Sequence, residues 1–138
     1  MDDARQIIST DDLTSDRAIT LARTAAEAIR GLNHATRHDA GLDQPSAAYD
    51  ILGSLSQAAG RLPQLLTQVT RYLDQALAAG KPGHDRGQDP ALPVEAAVIF
   101  LHDARGSAAA LAGDLDAAQQ QLTLINGNPA RRTPQDQP

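Results

Sequence analysis

Two histidines four residues apart, His34 and His38, have the spacing with the clearest chemical meaning in this sequence. On a helix, two imidazoles at this spacing lie on one face, where they can share a metal ion such as zinc. No nearby glutamate or cysteine completes a ligand set, and His34 is predicted to lie opposite the apolar centre of its helix. We therefore expect a solvated histidine pair, with a weak metal site as the alternative.

Three arginines, Arg23, Arg30 and Arg37, recur every seven residues on the outer face of the same predicted helix. Such a row could bind phosphate groups or an acidic partner. Glu27 lies within about one turn of Arg23 and of Arg30, so a solvated face with ion pairs of about 0.3 kcal/mol each also explains the row. A nucleic-acid-associated accessory protein that uses this row is the alternative function.

Catalytic side chains do not cluster in the sequence. Glu27 and Glu95 are the only glutamates, and Asp114 and Asp116 are two residues apart, so they point to different sides of a helix. There is no cysteine, no serine–histidine–aspartate arrangement and no glycine-rich phosphate loop in the context that it requires. We predict that the protein is not an enzyme, holds no cofactor and has no identifiable small-molecule ligand.

Charge and composition limit the partners further. The net charge of −5 opposes binding to nucleic acid or anionic membranes, and three aromatic residues offer few stacking platforms for single strands. No window approaches the ~18 apolar residues of a membrane span, and the N-terminal segment MDDARQ lacks the apolar core of a signal peptide. We expect a cytoplasmic protein with no nucleic-acid or membrane partner.

Proline and glycine mark the boundaries of the elements that must position these residues. Turn-rich stretches at 38–45 and 80–90 separate three segments in which apolar residues recur in steps of three and four. These steps predict three helices of about 22, 35 and 36 residues. The predicted organisation is an N-terminal extension (1–14), a helical bundle (15–127) and a disordered tail (128–138).

The second helix contains Pro63 at a position where a helix would normally break. Its apolar row keeps one rhythm through this proline: Ala48, Leu52, Leu55, Ala59, Leu62, Leu66, Val69, Leu73 and Ala76. Two separate helices would have no reason to stay in phase, so we predict one helix over about 45–79, kinked at Pro63. The row of the third helix is Val94, Ala97, Leu101, Ala104, Ala108, Leu111, Leu115, Ala118, Leu122 and Ile125.

The predicted fold follows from the short connections, which make neighbouring helices antiparallel. It is an all-α, antiparallel up-down-up three-helix bundle with long second and third helices. Ser15 and Asp16 are predicted to cap the first helix. Residues 1–14 either extend that helix or form a short helix of their own.

A stripe of small residues marks another surface of the third helix. Gly106, Ala110, Gly113 and Ala117 follow steps of four, three and four on the side opposite the apolar row. An exposed helical glycine costs up to about 1 kcal/mol relative to alanine, whereas small residues let another helix approach closely. We predict that this small-residue stripe is a protein interface, most simply that of a homodimer.

Three strings in the sequence carry a resemblance: GLNHATR (31–37), YDILGSLSQAAGRLPQLLTQVTRYL (49–73) and GHDRGQDP (83–90). They are similar to a group of small helical proteins of GC-rich bacteria that is associated with plasmids and integrative mobile elements. The group has no established activity, so the resemblance implies a mobile-element setting and no site residues. The function that we predict is a non-catalytic helical interaction or accessory module, whose partner is another protein or a second copy of the chain.

Overall fold

The computed structural model of the protein describes residues 10–38, 41–83 and 86–125, with side chains from residue 15 onwards. Within these ranges it contains three α-helices and no strand: α1 (Thr10–Ala35), α2 (Pro45–Ala78) and α3 (Ala91–Leu122). The predicted all-α class with three helices, of which the second and third are longest, is confirmed. The predicted tail and the first nine residues lie outside the described ranges. The chain divides into two units, residues 1–43 and 44–138.

Helix α1 begins five residues before the predicted cap, so Ser15 lies inside the helix and not at its end. Of the two alternatives for the N-terminal extension, its last residues therefore lengthen the first helix. At the other end, the backbone N–H and the hydroxyl of Thr36 both donate to the carbonyl oxygen of Leu32, at 2.9 and 2.7 Å.

Helix α2 is continuous through Pro63, as predicted. Proline cannot donate a backbone hydrogen bond, but its carbonyl remains an acceptor, and the hydroxyl of Thr67 donates to that oxygen at 2.9 Å. Pro45 opens the helix in the first turn, where a missing N–H costs nothing. One helix of 34 residues therefore spans the segment from Pro45 to Ala78.

Hydrogen bonds cap the C-terminus of α2 and the N-terminus of α3, on either side of the loop that connects them. Gly80 adopts a positive φ of 70°, its N–H donates to Leu77, and the N–H of Lys81 donates to Ala76. This is the Schellman arrangement, which satisfies the last carbonyl groups of a helix and favours glycine. At the start of α3, the carboxylate of Asp89 accepts a hydrogen bond of 2.9 Å from the N–H of Ala91.

Helices α2 and α3 pack side by side in opposite directions. Three hydrogen bonds cross the contact: Ser56 to the carbonyl of Ala112 at 3.0 Å, Arg105 to the hydroxyl of Thr67 at 3.1 Å, and Gln119 to the carbonyl of Tyr49 at 3.2 Å. Residue numbers fall on α2 as they rise on α3, so the pair is antiparallel. We call it the α2–α3 hairpin.

Small residues allow the two helices of the hairpin to approach closely. Among the residues that the structure describes, the fully buried side chains are all alanines: Ala59, Ala76 and Ala108. A Cβ atom on Gly60 would lie 3.9 Å from the Cβ of Ala112, which is ordinary contact, whereas one on Gly53 would collide with the amide of Gln119. Alanine therefore fits at position 60 without rearrangement, whereas alanine at position 53 requires the side chain of Gln119 to move.

This difference can be measured with a matched pair of substitutions. Gly60→Ala should raise the free energy of unfolding by about 0.5–1 kcal/mol, because alanine favours the helix and fits the space. Gly53→Ala gains the same propensity but displaces Gln119 from Tyr49, which forfeits a hydrogen bond of about 1 kcal/mol. In urea denaturation followed by circular dichroism, the free energy of unfolding of Gly53→Ala should therefore be about 1 kcal/mol lower than that of Gly60→Ala. Equal stabilities would contradict the packing described here.

Candidate functional site

The apolar row predicted for α2 splits into two halves in the structure. One half, which lies on the face toward α3 and is buried or half-buried, consists of Leu52, Ala59, Leu66 and Leu73. In the other half, Leu62 and Val69 are exposed. Leu65 and Tyr72 are also exposed, and each follows one of these two residues by three positions. The four exposed residues together recur in steps of three and four. In the same half Ala48 and Leu55 are half-buried and Ala76 is buried, so the exposed stripe of α2 is limited to the segment from Leu62 to Tyr72.

The row predicted for α3 splits in the same way. Val94, Leu101, Ala108 and Leu115 are buried or half-buried on the face toward α2. The prediction that this row faces the bundle was wrong at Leu111 and Ala118, which are exposed, whereas Ala97 and Ala104 in the same half of the row are half-buried. Ala112 and Gln119 take those places against α2. The physical reason is one of width. A row with alternating steps of three and four covers a broad strip of the helix surface, whereas contact with a single neighbouring helix covers a narrower strip and so buries only one edge of the row.

The exposed halves of both helices lie on one side of the hairpin. Both helices are right-handed and run in opposite directions, so positions displaced by the same rotation from the contact fall on the same side. The large residues on this side, with their exposed fractions, are Leu62 (39%), Leu65 (51%), Val69 (38%), Tyr72 (59%), Phe100 (70%) and Leu111 (49%). We call this surface the apolar side.

The opposite surface of the hairpin is polar and internally bonded. The half-buried Arg105 donates to Thr67 and lies 3.3 Å from the Nδ1 atom of His102. Gln64 and Arg71 are exposed on the same side of α2. We call this surface the polar side. The interhelical hydrogen bonds lie on or near the polar side, and six large exposed apolar residues lie on the apolar side; Leu92 and Ile99 of α3 are also exposed, outside the apolar side.

The small-residue stripe of α3 points away from α2, as predicted. Gly106, Ala110, Gly113 and Ala117 are all exposed. A Cβ atom on Gly106 or on Gly113 would meet nothing within 4 Å. The structure thus leaves this stripe exposed within the described residues, and the homodimer contact through it stays a prediction.

Only two of the three arginines that were predicted to form a row lie on helix α1. Arg23 and Arg30 lie on the helix, but α1 ends at Ala35, so Arg37 follows the helix in a bend. The guanidinium of Arg30 lies 3.5 Å from the carboxylate of Glu27, and both side chains are largely exposed. An open concave surface brings part of the row together, and its lining residues are Glu27, Arg30, Gly31, Asn33, His34 and Arg37.

The histidine pair is solvent-exposed: His34 lies in the last turn of α1, and His38 lies beyond the helix end. They are therefore not both on one helical face, which removes the geometric basis of the pairing. Across the described residues, no three histidine, aspartate, glutamate or cysteine side chains come together in a way that could hold a metal ion.

Arg105 and Gln119 are the contact residues that the sequence pattern missed. Both lie on the face toward α2, where the apolar row predicted hydrophobic side chains, and each donates a hydrogen bond across the hairpin. The signal that could have found them is their spacing: Arg105, Ala112 and Gln119 recur every seven residues. A polar residue at such a position is easily read as a solvated one.

Compared with protein-family models, curated proteins and solved structures, the chain shows no match. Among the helices in the described ranges, none combines the length and the apolar character needed to cross a membrane. The assignment of a function therefore rests on the geometry of the helices.

The arginine row leads to a prediction about nucleic acid. At physiological salt the protein should bind neither duplex nor single-stranded DNA, because the net charge is −5 and a carboxylate, Glu27, lies beside Arg30 within the row. Fluorescence-anisotropy titration measures this directly. A micromolar complex that is lost in Arg30→Glu but kept in Arg71→Glu, a matched substitution on α2, would contradict the prediction and support the nucleic-acid alternative.

Proposed function

We propose that the protein is a non-catalytic helical interaction module that binds a protein partner through the apolar side of the α2–α3 hairpin. The observation that carries this proposal is the group of six large apolar side chains on one side of the hairpin, each more than one third exposed. Contiguous apolar surface of this kind is typical of protein–protein contact sites.

The pattern on α2 supports a helical partner. Apolar residues recur on the apolar side in steps of four and three, with Ile51, Leu55, Ala58, Leu62, Leu65, Val69 and Tyr72 as the members. This is the seven-residue repeat with which helices pack against helices. The large members from Leu62 to Tyr72 are exposed, so this part of α2 is suited to a contact in addition to that with α3.

The cellular setting that we propose, an accessory role in a mobile element, rests on the resemblance of the three sequence strings. The exposed apolar side supports the interaction role independently of that setting. Binding of nucleic acid through Arg23, Arg30 and Arg37 is less well supported, because the structure pairs Arg30 with Glu27 and places Arg37 beyond the helix.

A photo-cross-linking amino acid tests the interaction role in the cells that make the protein. Placed at Leu65, on the apolar side, it should capture a protein, either a second copy or a different one. Placed at the neighbouring Gln64, on the polar side, it should capture none or far less, because the side chain points about 100° away. Absence of any protein adduct from Leu65, or equal capture from both positions, would refute the proposal.

A further inference from the structure

We propose that the occupant of the apolar side is the apolar side of a second copy of this chain, so that two hairpins form a four-helix arrangement. This inference rests on the proposed interaction function and specifies the partner. Three properties of the surface carry it: its area, the distribution of charge around it, and the level at which its aromatic residues lie.

The exposed area of the apolar side matches what a dimer needs. With whole side chains of ~200 Å² that are about half exposed, its six large residues present roughly 600 Å² of apolar surface per copy. Two copies would bury about 1,200 Å² from these residues alone, which reaches the lower limit of stable, specific interfaces before any polar rim is counted. The apolar side is thus large enough to hold two copies together.

The charges around the apolar side favour self-association. The chain carries a net charge of −5, so two copies repel each other unless they meet at a surface that lacks negative charge. Between Ile51 and Thr70, Arg61 is the only charged residue of α2. The α2 half of the apolar side therefore carries no negative charge over this stretch, and the negative charges near this side, Asp103 and Asp114, lie on α3.

The apolar side has a positive charge at its α2 edge and negative charges at its α3 edge. Arg61 lies at the α2 edge, and Asp103 and Asp114 lie at the α3 edge. A twofold axis parallel to the helices brings α2 of one copy opposite α3 of the other, and places Arg61 at a level between the two aspartates. The surface is then self-complementary, as a twofold interface must be.

The aromatic residues lie at one level of the hairpin. Counting five residues along each helix from the hydrogen bond between Thr67 and Arg105 places Tyr72 beside Phe100. These are the two most exposed large residues on the apolar side. Under the same twofold axis, Tyr72 of each copy meets Phe100 of the other, and exposed aromatic residues of this kind commonly anchor interfaces.

The test measures mass by light scattering at tens of micromolar protein, together with helicity by circular dichroism. The unmodified chain should have twice the monomer mass of 14.5 kDa. Leu65→Glu should remain helical and weaken the dimer at least ~100-fold, because each dimer carries the substitution twice. Gln64→Glu adds the same charge one residue away on the polar side and should leave the dimer intact.

Two further variants separate this surface from its competitors. Phe100→Ser removes a mostly exposed side chain from the other helix and should also yield a monomer, which guards against a folding defect in Leu65→Glu. Gly113→Arg, in the small-residue stripe, should remain a dimer. If Gly113→Arg is monomeric while Leu65→Glu is dimeric, the stripe is the interface and the proposal is wrong.

A monomeric unmodified chain would also overturn the proposal, and the cross-linking experiment then identifies the true occupant. Capture of a different protein at Leu65 would refute self-association and leave the interaction function standing. A monomer that captures nothing at Leu65 would refute both.

Discussion

The close contact between α2 and α3 is the interaction on which the arrangement of the other side chains of the hairpin depends. Its buried residues are alanines, and glycine at position 53 leaves room for the amide of Gln119. Alanine contributes little buried apolar area, roughly 0.8 kcal/mol per buried methyl-sized group. A contact built from such residues holds two helices close together and covers the larger side chains only in part: Leu52, Leu66 and Leu73 face α3 but are half-buried. Leu62, Leu65, Tyr72, Phe100 and Leu111 lie beside the contact and are exposed on the apolar side.

This constraint explains which parts of the fold the sequence could predict. The rhythm of apolar residues through Pro63 predicted one helix where a break was plausible, and glycine and proline located the connections. The same rhythm could not say which neighbour each residue faces. Leu66 and Leu62 belong to one row, yet the first faces α3 and the second is exposed. A seven-residue repeat specifies a stripe on a helix, whereas the direction of that stripe depends on where the partner helix lies.

The candidate site was harder to predict for a related reason. Small residues on the outer side of α3 are visible in the sequence, and their exposure was predicted. The apolar side is made of residues from two helices, and it exists only because the antiparallel arrangement turns both exposed stripes the same way. Tyr72 and Phe100 are 28 residues apart in the sequence and level in the hairpin. Polar contact residues such as Arg105 were missed because periodicity treats a polar side chain as solvated.

An interaction module needs a fixed shape and a source of binding affinity, and different parts of the hairpin supply the two. Hydrogen bonds are directional, so the bonds made by Arg105, Gln119 and Ser56 fix how far α2 and α3 slide along each other. Apolar contact is not directional and scales with area, so it supplies affinity without fixing alignment. Because the first set of contacts aligns the helices without help from the apolar side, that side has a defined shape before any partner arrives. A surface with a defined shape loses less conformational freedom on binding, and this is what allows a modest apolar area to hold a partner specifically.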